Sequence, residues 1–405
     1  MYFNFAWRYF RAKKSANAIN IIAWVTTGVI AFATCCQVLV LSVFNGFEDL
    51  VKSLYSSFYA DIKIIPAIGK TFFLTPAQLT LINKQSFIKK CSLVVEERAL
   101  LQNGDYQSVV VLKGVDKNFK EVTGIAEKIT RGEFYTGTAE EPQIIIGSGI
   151  QNATGITVNE SFAPEIISVI LPKKTTSADP LESISQGNVT ASGIFAIQQD
   201  FDNLYALTNI DFVKQQMAYL PGEYTGVEIR LTNKADIETS KEVLTGILGD
   251  QYVVQTKYEQ NTNLYNTMKT EKWAIYAVLT LILIIAAFNM ISALTMLVLE
   301  KKQDIAILQS MGSTRASIQK IFLSEGVLLG VIGAASGIAL AIIICVLQIN
   351  FKLIRLQGGS FLIDYFPVKL IPADFILVST TAIIIAFIAS WFPAHKAAGQ
   401  PLDLR

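Results

Sequence analysis

Histidine, cysteine and charge are scarce in this 405-residue chain, which has one histidine, four cysteines and 17% charged residues. The single histidine, His395, stands close to the C-terminus, so no histidine-based triad or metal cluster can be built in the long polar stretch before residue 273. Adjacent Cys35 and Cys36 cannot bridge one another, and Cys345, like them, lies in an apolar run. Cys91 alone falls in the polar stretch. That stretch therefore has no disulfide framework and must rely on an ordinary apolar core, with Cys91 expected as a buried free thiol. The formal net charge is only +1, so nothing points to nucleic acid as a partner. One phosphate-loop fragment, Gly69-Lys70-Thr71, lacks the glycine required five residues earlier, where Ile64 stands. The backbone cradle for phosphate cannot form, and the chain is not expected to hydrolyse ATP by itself.

What the chain has is apolar length. Hydrophobic residues make up 51% and the mean hydropathy is +0.41, too apolar for an ordinary soluble protein. A bilayer core of about 30 Å needs roughly 20 apolar residues in helix. Four charge-free stretches approach or meet this, at 21–44, 273–299, 326–349 and 375–392. A cleaved signal peptide is the rival reading of the first, because Arg8, Arg11, Lys13 and Lys14 precede it and Ala31-Phe32-Ala33 resembles a cleavage site. The apolar run continues well past that site, so an uncleaved helix is expected. Lys and Arg favour the cytoplasmic flanks of spans. Segments 1–20 and 300–325 hold four each, the tail 393–405 holds Lys396 and Arg405, and segment 350–374 holds three. Both termini are thus expected in the cytoplasm and the domain 45–272 outside it. No apolar run carries an ionisable group, which argues against ion-coupled transport through the helices. Energy must arrive from elsewhere.

The 228 residues of segment 45–272 have the texture of an α+β domain, with short β-rich segments and turn punctuation. Strands are expected at 61–65, 162–171, 190–196, 226–231 and 251–256. A hairpin is expected from Ala99 to Leu112, with Asn103-Gly104 supplying the positive φ angles of a tight turn. A helix is expected from Asp236 to Leu248, with Val243, Leu244, Ile247 and Leu248 on one face and Gly249 ending it. The polar loop from Pro172 through Lys173 and Lys174 to Pro180 reads either as a solvated hairpin tip or as a docking arm for a partner.

Between the second and third runs, Glu300 to Met311 can form a short amphipathic helix with Asp304, Ile305, Leu308 and Met311 along one side. Gly312 supplies a stop, and Ser313 or Thr314 can cap the next helix, whose Ile318, Ile321 and Phe322 recur at helical spacing. Held by two spans, such a helix suits a lever pushed by a soluble partner. A helix resting on lipid headgroups through Lys301 and Lys302 fits the same pattern.

These features together resemble the Lol-type lipoprotein-releasing permeases (LolC/LolE), within the FtsX-like and macrolide-exporter-like ABC permeases. The resemblance spans nearly the whole chain. It is carried by the basic N-terminus, by Asn45-Gly46-Phe47-Glu48, by Asp304-Ile305-Ala306-Ile307-Leu308 followed by Gly312, by the glycines at 326, 330, 333 and 337, and by Phe392-Pro393-Ala394-His395-Lys396. Many members have Arg or Lys where Gln309 stands. The resemblance implies an integral membrane α-helical permease of the mechanotransmitting type in a bacterial inner membrane, with four transmembrane helices and an α+β extracytoplasmic domain of two subdomains. It implies a non-catalytic subunit that binds no cofactor, paired with a second permease on two separate ATPase subunits that bind ATP and magnesium. That assembly hands an extracted lipoprotein to a periplasmic carrier. Lys301, Lys302, Asp304, Ile305, Ile307, Leu308 and Met311 would then couple to the ATPase, and the 172–180 arm would dock the carrier. Acyl chains need apolar walls, at about 0.8 kcal/mol for each CH₂ kept from water. Leu39, Val43, Phe47, Tyr276, Leu279 and Leu283 are the expected walls, although lipid-facing packing fits each of them too. A small-molecule or peptide exporter and a cell-division-type signal transmitter are the rival functions.

Overall fold

The four apolar runs lie within longer helices in the computed structural model, which describes residues 17–158, 165–174, 183–355 and 365–399. The first helix, α1, covers Asn17–Phe58. A β-rich region follows with β1 (Ile62–Pro66), β2 (Phe72–Phe73), α2 (Pro76–Asn83), β3 (Ile88–Asn103), β4 (Tyr106–Val115) and α3 (Phe119–Val122). It continues through β5 (Ile129–Gly132), β6 (Gln143–Gly147), α4 (Ser148–Thr154), β7 (Ile166–Pro172), β8 (Ile184–Phe195) and α5 (Gln199–Asp202). It ends with β9 (Tyr205–Asn209), α6 (Ile210–Met217), β10 (Glu223–Tyr224), β11 (Gly226–Leu231), α7 (Ile237–Leu248) and β12 (Tyr252–Thr256). Four helices complete the chain: α8 (Thr262–Glu300), α9 (Lys302–Ser310), α10 (Arg315–Phe351) and α11 (Pro372–Ala398). Residues 51–265 form one compact unit, and the described residues up to 50 and from 266 onward form another.

In the β-rich unit a mixed sheet runs β12-β1-β11-β3-β4-β9-β6-β8-β5, with β7 bridging β3 and β8. The 16-residue β3 joins its two ends, pairing β11 from Ile88 to Val94 and β4 from Val94 to Asn103. One apolar core around Ile62, Ile64, Ile82, Cys91 and Leu244 lies at the β1 end, and a second around Leu101, Leu112, Ile146 and Val169 lies toward β6. The two cores share one sheet. Burial pushes the Cys91 thiol up to about 12, in keeping with an inert packed cysteine.

Several details correct the sequence reading. The hairpin turn is Gly104-Asp105, because Asn103 already pairs with Tyr106, and only Gly104 takes a positive φ, of 56°. Asp236 caps α7 by accepting a hydrogen bond from the Thr239 amide at 2.9 Å, and Gly249, at φ 75°, ends it as expected. Leu244 and Leu248 are buried, but Val243 turns outward at 39% exposure. The strand expected at 162–171 begins at Ile166, and residues 162–164 lie outside the described residues, as does Pro180. The strand expected at 190–196 is the second half of β8.

In the helix unit, α1, α8, α10 and α11 are each long and apolar enough to cross a membrane. The 42-residue α1 would measure about 63 Å at 1.5 Å per residue, twice a hydrocarbon core. The glycines of α10 do what small residues do in lipid, letting backbones approach. A Cβ on Gly326 or Gly330 would meet Ser390 or Ala386 of α11, and one on Gly333 or Gly337 would meet Ile30 or Ala31 of α1. One series of glycines therefore seats α10 against two helices.

Candidate functional site

The segment joining α8 to α10 folds as its spacing suggests, with one redistribution of faces. Lys301 turns the corner: its amide donates to the Leu297 carbonyl at 3.0 Å, and its carbonyl accepts from the Ile305 amide at 2.9 Å. Its ammonium lies 3.2 Å from the Asp304 carboxylate. Gly312 stops α9 at φ 88°, and Thr314 caps α10 by accepting from the Ser317 amide at 3.3 Å. Ile305 is buried in a cluster with Leu297, Val298, Ile318, Phe322 and Ala394, so it anchors α9 to its own unit. Met311, expected on the same side as Ile305, is 78% exposed, and Ile307 is 55% exposed. Leu308 and Asp304 are half-buried and Lys302 is exposed. Gln303, Ile307 and Met311, spaced by four, share one face of the helix, so two apolar side chains project away from the bundle on a polar background.

The six expected wall residues are not gathered into one cavity among the described residues. Leu39 and Tyr276 pack on a cluster of Cys35, Val38, Leu41 and Val378, and the Tyr276 hydroxyl bonds that of Thr381. Leu283 is buried in a different cluster with Ile30, Met290 and Leu329. Val43 and Leu279 are half-buried, and Phe47 meets Phe366 edge-on with centroids 5.8 Å apart.

Sequence reasoning missed what surrounds Phe47. Asn45 donates to Asp374 at 2.6 Å and accepts from Lys272 at 2.9 Å, while Lys272 lies 3.2 Å from Asp374. Three helices, α1, α8 and α11, are thereby tied at one point. A Cβ on Gly46 would fall on the Pro367 carbonyl, so only glycine lets the segment before α11 cross there. Asn-Gly-Phe-Glu was visible in the sequence, but nothing in one chain pairs it with Asp374.

The arm beginning at Pro172 is rooted firmly. The Lys173 amide donates to the Ser183 carbonyl at 2.8 Å, closing the hairpin base, and the Lys174 amide reaches the Met217 carbonyl at 3.2 Å. The Lys174 ammonium pairs with the buried Glu223, which also accepts from Thr71 at 2.6 Å and from the Leu220 amide at 3.1 Å. Burial raises the Glu223 carboxyl, but those hydrogen bonds and the Lys174 charge outweigh it and hold the group below the usual carboxylate range. Lys174 thus spends its charge on the arm's root.

A second buried charge group was also missed. Glu96 lies opposite Lys113 across β3 and β4, and Lys63 lies opposite Glu228 across β1 and β11. Lys113 bonds both carboxylates, with Glu96 at 2.9 Å, and Lys63 reaches Glu96 at 3.0 Å. Phe58, at the end of α1, and Phe119 place their rings 5.3 and 4.9 Å from the Lys113 ammonium. Burial favours the neutral forms, yet the opposite charges prevail: Glu96 is held far below the carboxylate range and Lys113 is raised above that of lysine. The one sequence clue is a lysine inside the run Val109-Val110-Val111-Leu112-Lys113.

Comparison with known proteins bears on both units. Residues 276–402 match the FtsX-like permease C-terminal family model. The chain is 25% identical over 407 residues to the lipoprotein-releasing system transmembrane protein LolC of Xylella fastidiosa, covering 98% of this chain and 96% of that one. It is 26% identical over 414 residues to the LolE protein of Haemophilus influenzae, with the same coverage. The periplasmic region of MacB from Actinobacillus actinomycetemcomitans aligns with 54% of this chain and 98% of its own length, at 11% identity and a TM-score of 0.38, too low to argue from. Beside four helices long and apolar enough to cross a membrane and a large β-rich unit stand two likenesses: residues 276–402 resemble the C-terminal region of FtsX-like permeases, and nearly the whole chain is similar to LolC and LolE proteins.

Proposed function

We propose that this chain is the permease subunit of an ABC transporter that extracts lipoproteins from the inner membrane and passes them to a periplasmic carrier. The observation that carries the reading is similarity, from end to end, to proteins named for lipoprotein release. Physical features support each part of it. The incomplete phosphate-loop fragment Gly69-Lys70-Thr71 supports assigning ATP and magnesium to a separate pair of ATPase subunits, with this chain as their non-catalytic partner. Exposed Ile307 and Met311 on α9 suit insertion into a groove of that ATPase, with Ile305 and Lys301 holding the helix from behind. The Lys and Arg distribution supports a topology with both termini and α9 in the cytoplasm and the β-rich unit in the periplasm. There the two cores serve as two subdomains, and the hairpin rooted by Lys174 and Glu223 serves as the arm that meets the carrier. A second permease, identical or paralogous, completes the lipid-accepting cavity to which the six wall residues contribute.

Two measurements test this. Depletion of the protein is expected to leave acylated lipoproteins in the inner membrane, and normal sorting would remove the proposal. Met311→Asp with Ile307→Asp is expected to abolish copurification of an ATPase subunit while the chain still inserts. Capture of an outer tunnel or of a wall hydrolase in place of a lipoprotein carrier would favour the exporter or the transmitter.

A further inference from the structure

One stripe along α8 changes its chemistry halfway. Lys272, Tyr276 and Thr280 follow one another at spacings of four, and Leu283, Ala287, Met290 and Leu294 continue the same stripe at spacings of three and four. The second group is buried in one cluster with Ile30 and Ala33 of α1, Leu329 of α10 and Ala386 of α11. Before it, no residue from 269 to 282 is buried. What this first half offers in place of buried side chains is three polar rungs. The Lys272 ammonium donates to Asn45 of α1 at 2.9 Å and lies 3.2 Å from Asp374 of α11. The Tyr276 hydroxyl donates to that of Thr381 on α11, whose own proton goes to the Leu377 carbonyl at 2.8 Å. The Gln37 amide of α1 donates to the Thr280 hydroxyl at 3.2 Å. Gln37 is fully buried, and its Oε1 accepts no hydrogen bond among the described residues.

The neighbours do not need α8 to stay together. Asn45 donates directly to Asp374 at 2.6 Å, and the Lys369 amide, just before α11, donates to the Ser42 carbonyl of α1 at 3.0 Å. Val38 and Leu41 of α1 also share a cluster with Ala341 of α10 and Val378 of α11. We propose that residues 269–282 of α8 are a hinged wall of the helix bundle, latched to α1 and α11 by the three polar rungs and pivoting at Leu283. Polar contacts between helices in lipid hold weakly, because separated groups find other partners. The unmet Gln37 oxygen weakens the closed state further, since it gives up its solvation there for nothing. At the far end of α8, Leu297 and Val298 pack with Ile305, so the wall opens without disturbing the seat of α9. The open wall gives the bundle a slot that faces sideways into lipid, whatever cargo the chain serves.

The test measures the swing directly, on the full chain in lipid nanodiscs and without cargo or ATPase, so it stands apart from the lipoprotein reading. Nitroxides are attached through ketone-bearing residues, which leaves the four native cysteines in place. One pair, at the exposed Val278 of α8 and Ile376 of α11, reports the first half; a second, at the exposed Phe288 and Ile388, reports the packed half. The first pair is expected to show a longer distance beside the closed one, and the second pair a single distance. Tyr276→Phe and Thr280→Val each remove one rung. Each should raise the open-to-closed ratio about threefold, the equivalent of ~0.6 kcal/mol, and together they should raise it about sevenfold. Thr280→Ser keeps the hydroxyl and should match the parent. A single unchanged distance at the first pair in the double variant would overturn the proposal. So would equal broadening at both pairs, which would mean that the rungs serve general packing rather than a latch.

Discussion

The two units bury opposite things. Between β1 and β4, the β-rich unit buries Lys113 and Glu228 and half-buries Lys63 and Glu96, which compensate them, whereas the helix unit packs its third long helix with glycines, by removing atoms. The difference follows from the solvent each unit is built for. In water, apolar burial drives collapse, and a paired charge group adds specificity because only one strand register aligns Glu96 with Lys113 and Lys63 with Glu228. Lipid is as apolar as leucine, so helices there gain by close approach.

The largest break of this comparison is Lys113→Ala. It leaves Glu228, 1% exposed, without its nearest cation, and its Oε2 already lacks a hydrogen bond. A loss of about 3–5 kcal/mol is expected, read as a large drop in the thermal midpoint of the full chain in detergent. Replacing Lys113 and Glu228 together by methionine and leucine should restore much of it. If the single variant melted with the parent, buried charge would not be holding the sheet.

For the helix unit the matching break is Gly337→Leu, whose side chain would meet Ala31 and Thr34 of α1. Overpacking of this kind costs about 1–3 kcal/mol. Gly28 of α1 is the internal control, since a Cβ there meets nothing within 4 Å. Gly28→Ala should melt with the parent while Gly337→Leu melts earlier; equal behaviour would mean that small residues do not set the α1–α10 approach.

The root of the arm sharpens the comparison through pH. The Glu223 carboxyl is depressed in the fold, so the stability it contributes is complete above its unfolded pKa, about 4.3, and is lost as pH falls through its folded value. Hydrogen exchange at the Lys174 amide, corrected for intrinsic rate, should stay slow at neutral pH and quicken on acidification. Glu223→Gln should already be fast at neutral pH, at a cost of about 1–2 kcal/mol.

These sites also show how far the sequence could be read. Spans were legible because lipid demands long charge-free helices, and α7 was legible because Asp236, Gly249 and the spacing of Leu244 and Leu248 agree. α9 was legible as a helix, but its faces were not. Which side of a short amphipathic helix is buried depends on what packs behind it, here Ile318, Phe322 and Ala394. The Asn45, Lys272 and Asp374 tie and the Lys113 group were hidden for the same reason: their members are far apart in sequence and meet only through topology.

The smallest expected effect makes the final cut in the comparison, because it holds distance constant and varies only burial. Lys70 lies 3.1 Å from Glu97, almost as close as Lys113 lies to Glu96, at 2.9 Å. Yet the Lys70 side chain is 78% exposed and that of Lys113 only 2%. Water screens the first pair and solvates each partner when the other is removed, so Lys70→Ala should change stability by no more than about 0.5 kcal/mol. Measured beside Lys113→Ala in the same detergent and salt, the two variants should differ severalfold in lost stability. Raising salt should shrink the smaller loss further and leave the larger one nearly unchanged, since mobile ions do not reach a pair closed over by Phe58 and Phe119. Comparable losses from the two variants would show that contact distance, and not exclusion of water, governs ion pairs in this unit.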